Sequence, residues 1–204
     1  MTRLLLIRHA EPDEDARGRC YGRLDVGLSP TGLARAQRLA HSLRDVELEK
    51  VYVSPRLRAV QTAAALGIAL NIDDRLRELD FGELEGRTYD EIEREQPAFF
   101  RRWMETPTLV RFPGGESYPE LRERVAAAVG DIVAAHTGRT VALVSHGGAI
   151  RAALAVVLGL PDDRAFALDV GCARVSVVDW FGGTPVVRLV NGVSADLPVD
   201  LGSY

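Results

Sequence analysis

Arg8 and His9 directly follow Leu4-Leu5-Leu6-Ile7, so an apolar run ends on one side chain that can hold an anion and one that can attack an electrophile. A second apolar run, Val141-Ala142-Leu143-Val144, ends in the same way on Ser145-His146-Gly147-Gly148. Between them, Ser54-Pro55-Arg56-Leu57-Arg58 sets two arginines near a helix start. Basic residues there oppose the helix macrodipole and cost stability unless an anion is close. A neutral imidazole can attack phosphorus and split one displacement into two, provided that an acceptor holds its other ring nitrogen and fixes the tautomer. Guanidinium groups offer paired donors to the oxygens of a transferring phosphoryl group. The leaving oxygen then needs a proton. A carboxylic acid beside a phosphate dianion titrates higher than usual and can supply it near neutrality, which makes Glu78 and Glu83 both candidates. Glycines at 147 and 148 would let backbone N–H groups approach an anion at the start of the following helix.

For residues so far apart in sequence to meet, the two apolar runs must be strands of a parallel sheet, buried on both faces. Their carboxyl ends then share one edge, where ligands bind in α/β folds. The intervening chain fits this plan. The passage from Ala10 to Arg23 is polar and glycine-punctuated and reads as a long functional loop. Ser29-Pro30 starts a helix with Leu33, Ala36, Ala40 and Leu43 as its buried stripe. Val51-Tyr52-Val53 is a short strand, Ser54-Pro55 starts another helix, and Leu70-Asn71-Ile72 is a further short strand. Residues 73–86 mix carboxylates, leucines and glycines in a folded loop.

Thr88-x-x-Glu91 is a capping box, and Pro97 interrupts or restarts its helix. Phe99, Phe100 and Trp103 form an apolar cluster there. Residues 88–118 read as a helical excursion that covers the sheet end like a lid. Ser117-x-x-Glu120 opens a long helix with Leu121, Val125, Ala128, Val129, Ile132 and Val133 inward. Ala149–Leu158 is the helix after the second histidine, and 173–180 with 185–190 form a terminal hairpin. One domain spans 1–192, and 193–204 read as a tail.

Composition narrows the field. The 204 residues are 47% hydrophobic, enough for one substantial core, and carry a net charge of −4. That balance argues against a nucleic-acid surface, which needs concentrated Lys and Arg. No run approaches 18 apolar residues, so a membrane span is not expected. Cys20 and Cys172 lie far apart without metal-ligand spacing, so no disulfide framework and no metal site are expected, and a reducing cytoplasm fits. Cys20 is placed near the pocket and Cys172 in packing by the final hairpin. His41 and His136, on amphipathic helices, are expected to face solvent. No G-x-G-x-x-G follows the first strand, so a dinucleotide site is not supported.

As a set, the motifs resemble the histidine phosphatase superfamily, or phosphoglycerate mutase-like family. They are Arg8-His9, Leu28-Ser29-Pro30-Thr31-Gly32, Ser54 through Ala63, Glu78-Leu79-Asp80-Phe81-Gly82 with Glu85-Gly86, Pro113-Gly114-Gly115-Glu116-Ser117 and Ser145-His146-Gly147-Gly148. They run in the family's order from the first strand to about residue 151. The resemblance implies a three-layer α/β/α sandwich with a mostly parallel central sheet. It also implies His9 as phosphorylated nucleophile, with Arg8, Arg58 and His146 on the phosphate. Position in the motif makes Glu78, not Glu83, the proton donor and base. Tyr21, Gly22, Arg23 and Gly147 are implied as substrate contacts, and neither metal nor cofactor is implied. Ala10, Pro12 and Tyr21 stand where relatives commonly carry glycine, threonine and glutamine.

The function so implied is a metal-independent phosphomonoesterase acting on a small phosphorylated metabolite, with a homodimer left open. A phosphoglycerate mutase is the alternative, disfavoured because mutase relatives carry extra sequence around the site. A pseudoenzyme that only binds phosphorylated ligands is a third reading, though His9, Glu78 and His146 all stand. The Arg19–Asp25 passage is similar to α-ribazole phosphatases, which points to a nucleoside-like substrate.

Overall fold

Leu4 to Ile7 lie inside strand β1, Thr2–Arg8, at the middle of a sheet. The computed structural model describes residues 1–193, and elements follow in the order α1 (Pro30–Ser42), β2 (Lys50–Val53), α2 (Leu57–Ala64), β3 (Leu70–Ile72), α3 (Tyr89–Glu95) and α4 (Pro97–Glu105). After these come α5 (Tyr118–Ala135), β4 (Thr140–Ser145), α6 (Gly147–Val157), β5 (Val175–Phe181) and β6 (Thr184–Gly192). Among the described residues the six strands form one sheet in the order β3-β2-β4-β1-β5-β6. The pairings β2 with β3, β2 with β4 and β1 with β4 are parallel; β5 and β6 are antiparallel additions at one side.

Alternation along the strands separates two cores. Leu4 and Leu6, with Val141 and Leu143, pack under Leu121, Val125 and Ala128 of α5 and Ile150 and Leu154 of α6. Leu5 and Ile7, with Val51, Val53, Ala142 and Val144, pack against Leu39 and Leu43 at the α1 end and Ala59 and Ala63 of α2. Strands buried on both faces need apolar residues at every position, which is why these runs do not alternate with polar ones. The result is a three-layer α/β/α sandwich with a mostly parallel central sheet.

The same register brings the polar strand ends together. Arg8 is paired with Ser145 and Val53 with Val144, so His9, Ser54 and His146 each begin where their strand stops. The exits are tied by backbone bonds from His9 N to Ser145 O at 2.9 Å and from Ser54 N to Val144 O at 3.1 Å.

Several expectations need correction. Leu33 is 46% exposed, and the buried stripe of α1 is Gly32, Ala36 and Leu39, continuing to Leu43. The helix is turned by its N-terminal anchor, where Ser29 N binds Glu11 O at 3.0 Å. Helix α2 begins at Leu57 with Arg56 as an N-cap that lacks a side-chain bond, so Ser54-Pro55 precedes the helix. His136 is buried, because the end of α5 folds over the lower edge of the sheet. There its Nε2 meets Tyr52 Oη at 2.9 Å and its Nδ1 meets Glu49 at 3.2 Å. Both capping boxes form, at Thr88 and Ser117, and α4 restarts at Pro97. The tail expected over 193–204 lies, apart from Val193, outside the described residues. Among the described residues no helix is long and apolar enough to cross a membrane.

The antiparallel extension is locked by charge. Asp179 of β5 is fully buried and faces its cross-strand partner Arg3, which donates to it at 2.7 and 3.0 Å, while Arg188 of β6 donates at 3.0 Å. Removing one partner of a buried ion pair costs about 3–5 kcal/mol, since the remaining charge stays desolvated. Asp179→Ala is therefore expected to lower unfolding free energy by about that much in urea titrations; a loss below about 1 kcal/mol would show that the cluster does not hold β5 and β6 to β1.

Candidate active site

Each strand exit delivers one group to the same buried cluster. The His9 ring is 1% exposed, and its Nδ1 lies 2.7 Å from the carbonyl oxygen of Ala10. A carbonyl only accepts, so Nδ1 carries the proton and Nε2 keeps its lone pair. Ala10 is itself fixed, through a bond from its N–H to Thr62 Oγ1 at 2.9 Å; Thr62 in turn donates to Arg58 O at 2.7 Å. The His146 ring stands 5.1 Å from that of His9, centroid to centroid, and is fully buried. Its Nε2 meets Ser54 Oγ at 2.7 Å.

Arg58 is also fully buried. Its Nη atoms donate to the carbonyls of Leu24, Tyr21 and Gly22 at 3.0, 2.8 and 3.2 Å, and its guanidinium lies over the Tyr21 ring at 4.9 Å. Arg8 is held by a 2.6 Å bond to Val170 O. Three buried donor-bearing atoms in this group have no partner: Arg8 Nε, Arg58 Nε and His146 Nδ1. Burial, joined by the charges of Arg58 and Arg8, pushes both imidazoles well below their ordinary value of 6.5. They are neutral at neutral pH.

Glu78 closes the ring. Its Oε1 accepts the Leu79 N–H and its Oε2 accepts the Gly148 N–H, both at 3.0 Å. A Cβ on Gly148 would stand 2.3 Å from Glu78 Oε1, so the carboxylate reaches α6 only because that position is glycine. The Glu78 loop is clamped from behind by Arg124 of α5, which donates to the carbonyls of Arg75, Arg77 and Glu78 and pairs with Glu116 at 2.7 Å. Glu83 is exposed beside the Gly114 turn and contributes to neither cavity described next.

Two cavities flank Glu78. One, about 210 Å³, is lined by Arg8, Tyr21, Gly147 and Gly148 on one side and by aromatic residues on the other. The second, about 200 Å³, is lined by Arg23, Arg56, Arg77, Asp80 and Arg111 among others. Of the implied substrate contacts, Tyr21 and Gly147 line the first cavity and Arg23 the second. Gly22 lines neither. It is buried, a Cβ there would stand 1.8 Å from Leu79 O, and its carbonyl serves Arg58. Cys20 is also away from the pocket, fully buried in the α5 side core with its thiol pushed up to about 12, chiefly by burial.

Among the described residues no group of three or more His, Cys, Asp or Glu side chains could hold a metal ion. Ser54, Thr62 and Arg124 escaped the sequence reading. The cap-like Ser54-Pro55 was a misleading signal, because the serine turns to His146 instead of the helix. A threonine one turn after Arg58 was the available clue to Thr62.

Comparison with known proteins identifies the family. Residues 4–192 match the family described as the histidine phosphatase superfamily, branch 1. A protein of Hydrogenobacter thermophilus named phosphoserine phosphatase 1 is 35% identical over 94% of this chain and 92% of its own length. A probable phosphoglycerate mutase of an Enterobacter species is 32% identical over 95% of this chain and 94% of its own length. A mutase-named relative of matching length removes the argument that chain length separates the two activities. Among solved structures, YhfR of Bacillus stearothermophilus superposes with a TM-score of 0.91 at 32% identity, covering 97% of this chain and all of that one. This chain is an enzyme of the phosphatase type and belongs to the histidine phosphatase superfamily.

Proposed function

We propose that the chain hydrolyses phosphomonoesters of small metabolites without a metal, through a phosphohistidine on His9. The observation that carries this reading is the trio of buried, unpartnered atoms Arg8 Nε, Arg58 Nε and His146 Nδ1 on residues that adjoin the one imidazole with a nucleophilic Nε2. Preorganised donors in a water-poor hollow stabilise charge on transferring oxygens at little reorganisation cost. Ser54 completes His146: its Oγ accepts the Arg56 N–H at 3.4 Å, and its hydroxyl proton goes to His146 Nε2. That bond leaves the proton of the neutral ring on Nδ1, where it serves as a donor to phosphate.

In the first step His9 Nε2 forms a bond to phosphorus as the ester P–O bond breaks, and Glu78 as carboxylic acid gives its proton to the leaving oxygen. In the second, a water oxygen attacks phosphorus while the Glu78 carboxylate takes the water's proton. The N–P bond breaks, the lone pair returns to His9, and inorganic phosphate leaves. The charge that a metal would bring in other phosphoryl-transfer enzymes comes here from Arg8 and Arg58.

Release of phosphate from phenyl phosphate in excess chelator tests this. Turnover is expected in the wild type and a fall of on the order of a thousandfold or more in His9→Ala. A His9→Ala enzyme within tenfold of wild type would remove His9 from the mechanism. Interconversion of phosphoglycerate isomers outpacing phosphate release would make the chain a mutase instead, and phosphate binding without either reaction a pseudoenzyme.

The two neutral imidazoles also set a pH dependence. The unfolded chain takes up protons on His9 and His146 as pH falls through 6.5, and the folded chain does so only well below it. The unfolded state then binds more protons, so stability rises with pH up to about 6.5 and is flat above as far as these groups are concerned. Melting temperature is expected to drop between pH 6.5 and 5, with a shallower slope in His146→Asn. Equal slopes in the two proteins would contradict the assignment of buried neutral rings.

A further inference from the structure

The cavity beside Arg8 and Gly147 has a wall that phosphoryl transfer does not use. It is built by Leu79, Phe81, Tyr89, Trp103, Pro107 and Phe166, drawn from the Glu78 loop, α3, α4 and the turn after α6. Phe81 and Trp103 are backed by Phe112, with ring centroids at 4.9 and 5.1 Å, so that part of the wall is rigid. Tyr89 and Phe166 face it while 40% and 44% exposed, a large apolar surface left in water. Exposed aromatic area that lines a concave site rather than a convex surface is the usual form of a ligand-binding wall.

The charges in this cavity are one-sided. Arg8, Arg19 and Arg151 line it, and Glu78 is the one carboxylate among its lining residues. Both Glu78 oxygens already accept backbone N–H groups, and the proposed mechanism commits the carboxyl to proton transfer. An ammonium group on the departing alcohol would therefore sit near three guanidinium groups with Glu78 as the one opposing charge in the lining, which disfavours it electrostatically.

We infer that the preferred substrates are phosphomonoesters of apolar, planar alcohols that carry no cationic group, the ring of the alcohol lying against Phe81, Trp103 and Phe166. This deepens the proposed function and rests on it. It separates the chain from what the name of its Hydrogenobacter relative says of that protein, since serine brings an ammonium group and almost no apolar surface.

The test compares kcat/KM for 1-naphthyl phosphate, phenyl phosphate, glycerol phosphate and phosphoserine in chelator. Burying one aromatic ring predicts at least about a tenfold preference for the naphthyl ester over glycerol phosphate, with phosphoserine last. Phe166→Ala, at a half-exposed position that folding tolerates, is expected to shrink the naphthyl-to-glycerol ratio severalfold through KM, and Phe166→Leu to restore most of it. Phosphoserine turned over as well as the naphthyl ester, or a ratio unmoved by Phe166→Ala, would overturn the inference. Either result, with hydrolysis still dependent on His9, leaves the proposed function standing; hydrolysis of none of the four esters would remove the function itself.

Discussion

A guanidinium with no exposed surface and no carboxylate bonded to it is the constraint from which the rest of this site follows. Arg58 is anchored through three carbonyls of one loop, not through an acid, so its charge is desolvated but not cancelled. Burial lowers its proton affinity, and Glu78 is the leading opposing influence. Such a charge is costly unless something negative arrives. Its effect on its neighbours is direct: after desolvation, its charge is the next cause that holds the His9 and His146 imidazoles well below their ordinary value. Under the proposed mechanism, charge stabilisation and nucleophile activation, often the work of separate groups, are coupled through one side chain.

Holding that charge in place requires the fold. The parallel register of β1, β2 and β4 brings three strand exits level, and bonds among the exits and their loops then help to position the site. Thr62 joins Arg58 to the His9 loop, Ser54 joins β2 to His146, and the 21–24 carbonyls join the long loop to α2. A slip of one strand by a residue would disturb the bonds that cross between exits, and would turn Leu5 and Ile7 out of their core as well. The apolar alternation that fills the two cores is thus the same restraint that sets the spacing between the two imidazoles.

What the sequence disclosed, and what it hid, divides along this line. His9, His146 and Arg58 stood out because polar residues at the ends of fully apolar runs, and arginines at a helix start, break local rules of stability and so ask for another reason, whereas Glu78 was separated from Glu83 only by the family resemblance. The two capping boxes and the long apolar stripe of α5 were legible because the signals are local. Ser54, Thr62 and Arg124 were not, since each is a small or charged residue in an ordinary setting whose partner lies across the sheet. Ser54 even satisfied the local pattern of a helix cap. His136 was misplaced for the converse reason: a histidine at a helix end looks exposed until a neighbouring tyrosine and glutamate close over it.

Glu78 shows how the two halves of the site depend on each other. A carboxylate facing three or more guanidinium groups would ordinarily be drawn into a direct ion pair. Here the backbone N–H groups of Leu79 and Gly148 take its two oxygens, and Arg124, which clamps its loop, directs its donors to carbonyls and to Glu116. The acid is therefore oriented by neutral dipoles and spared a direct cationic partner. The glycine at 148 is what allows that orientation without steric conflict.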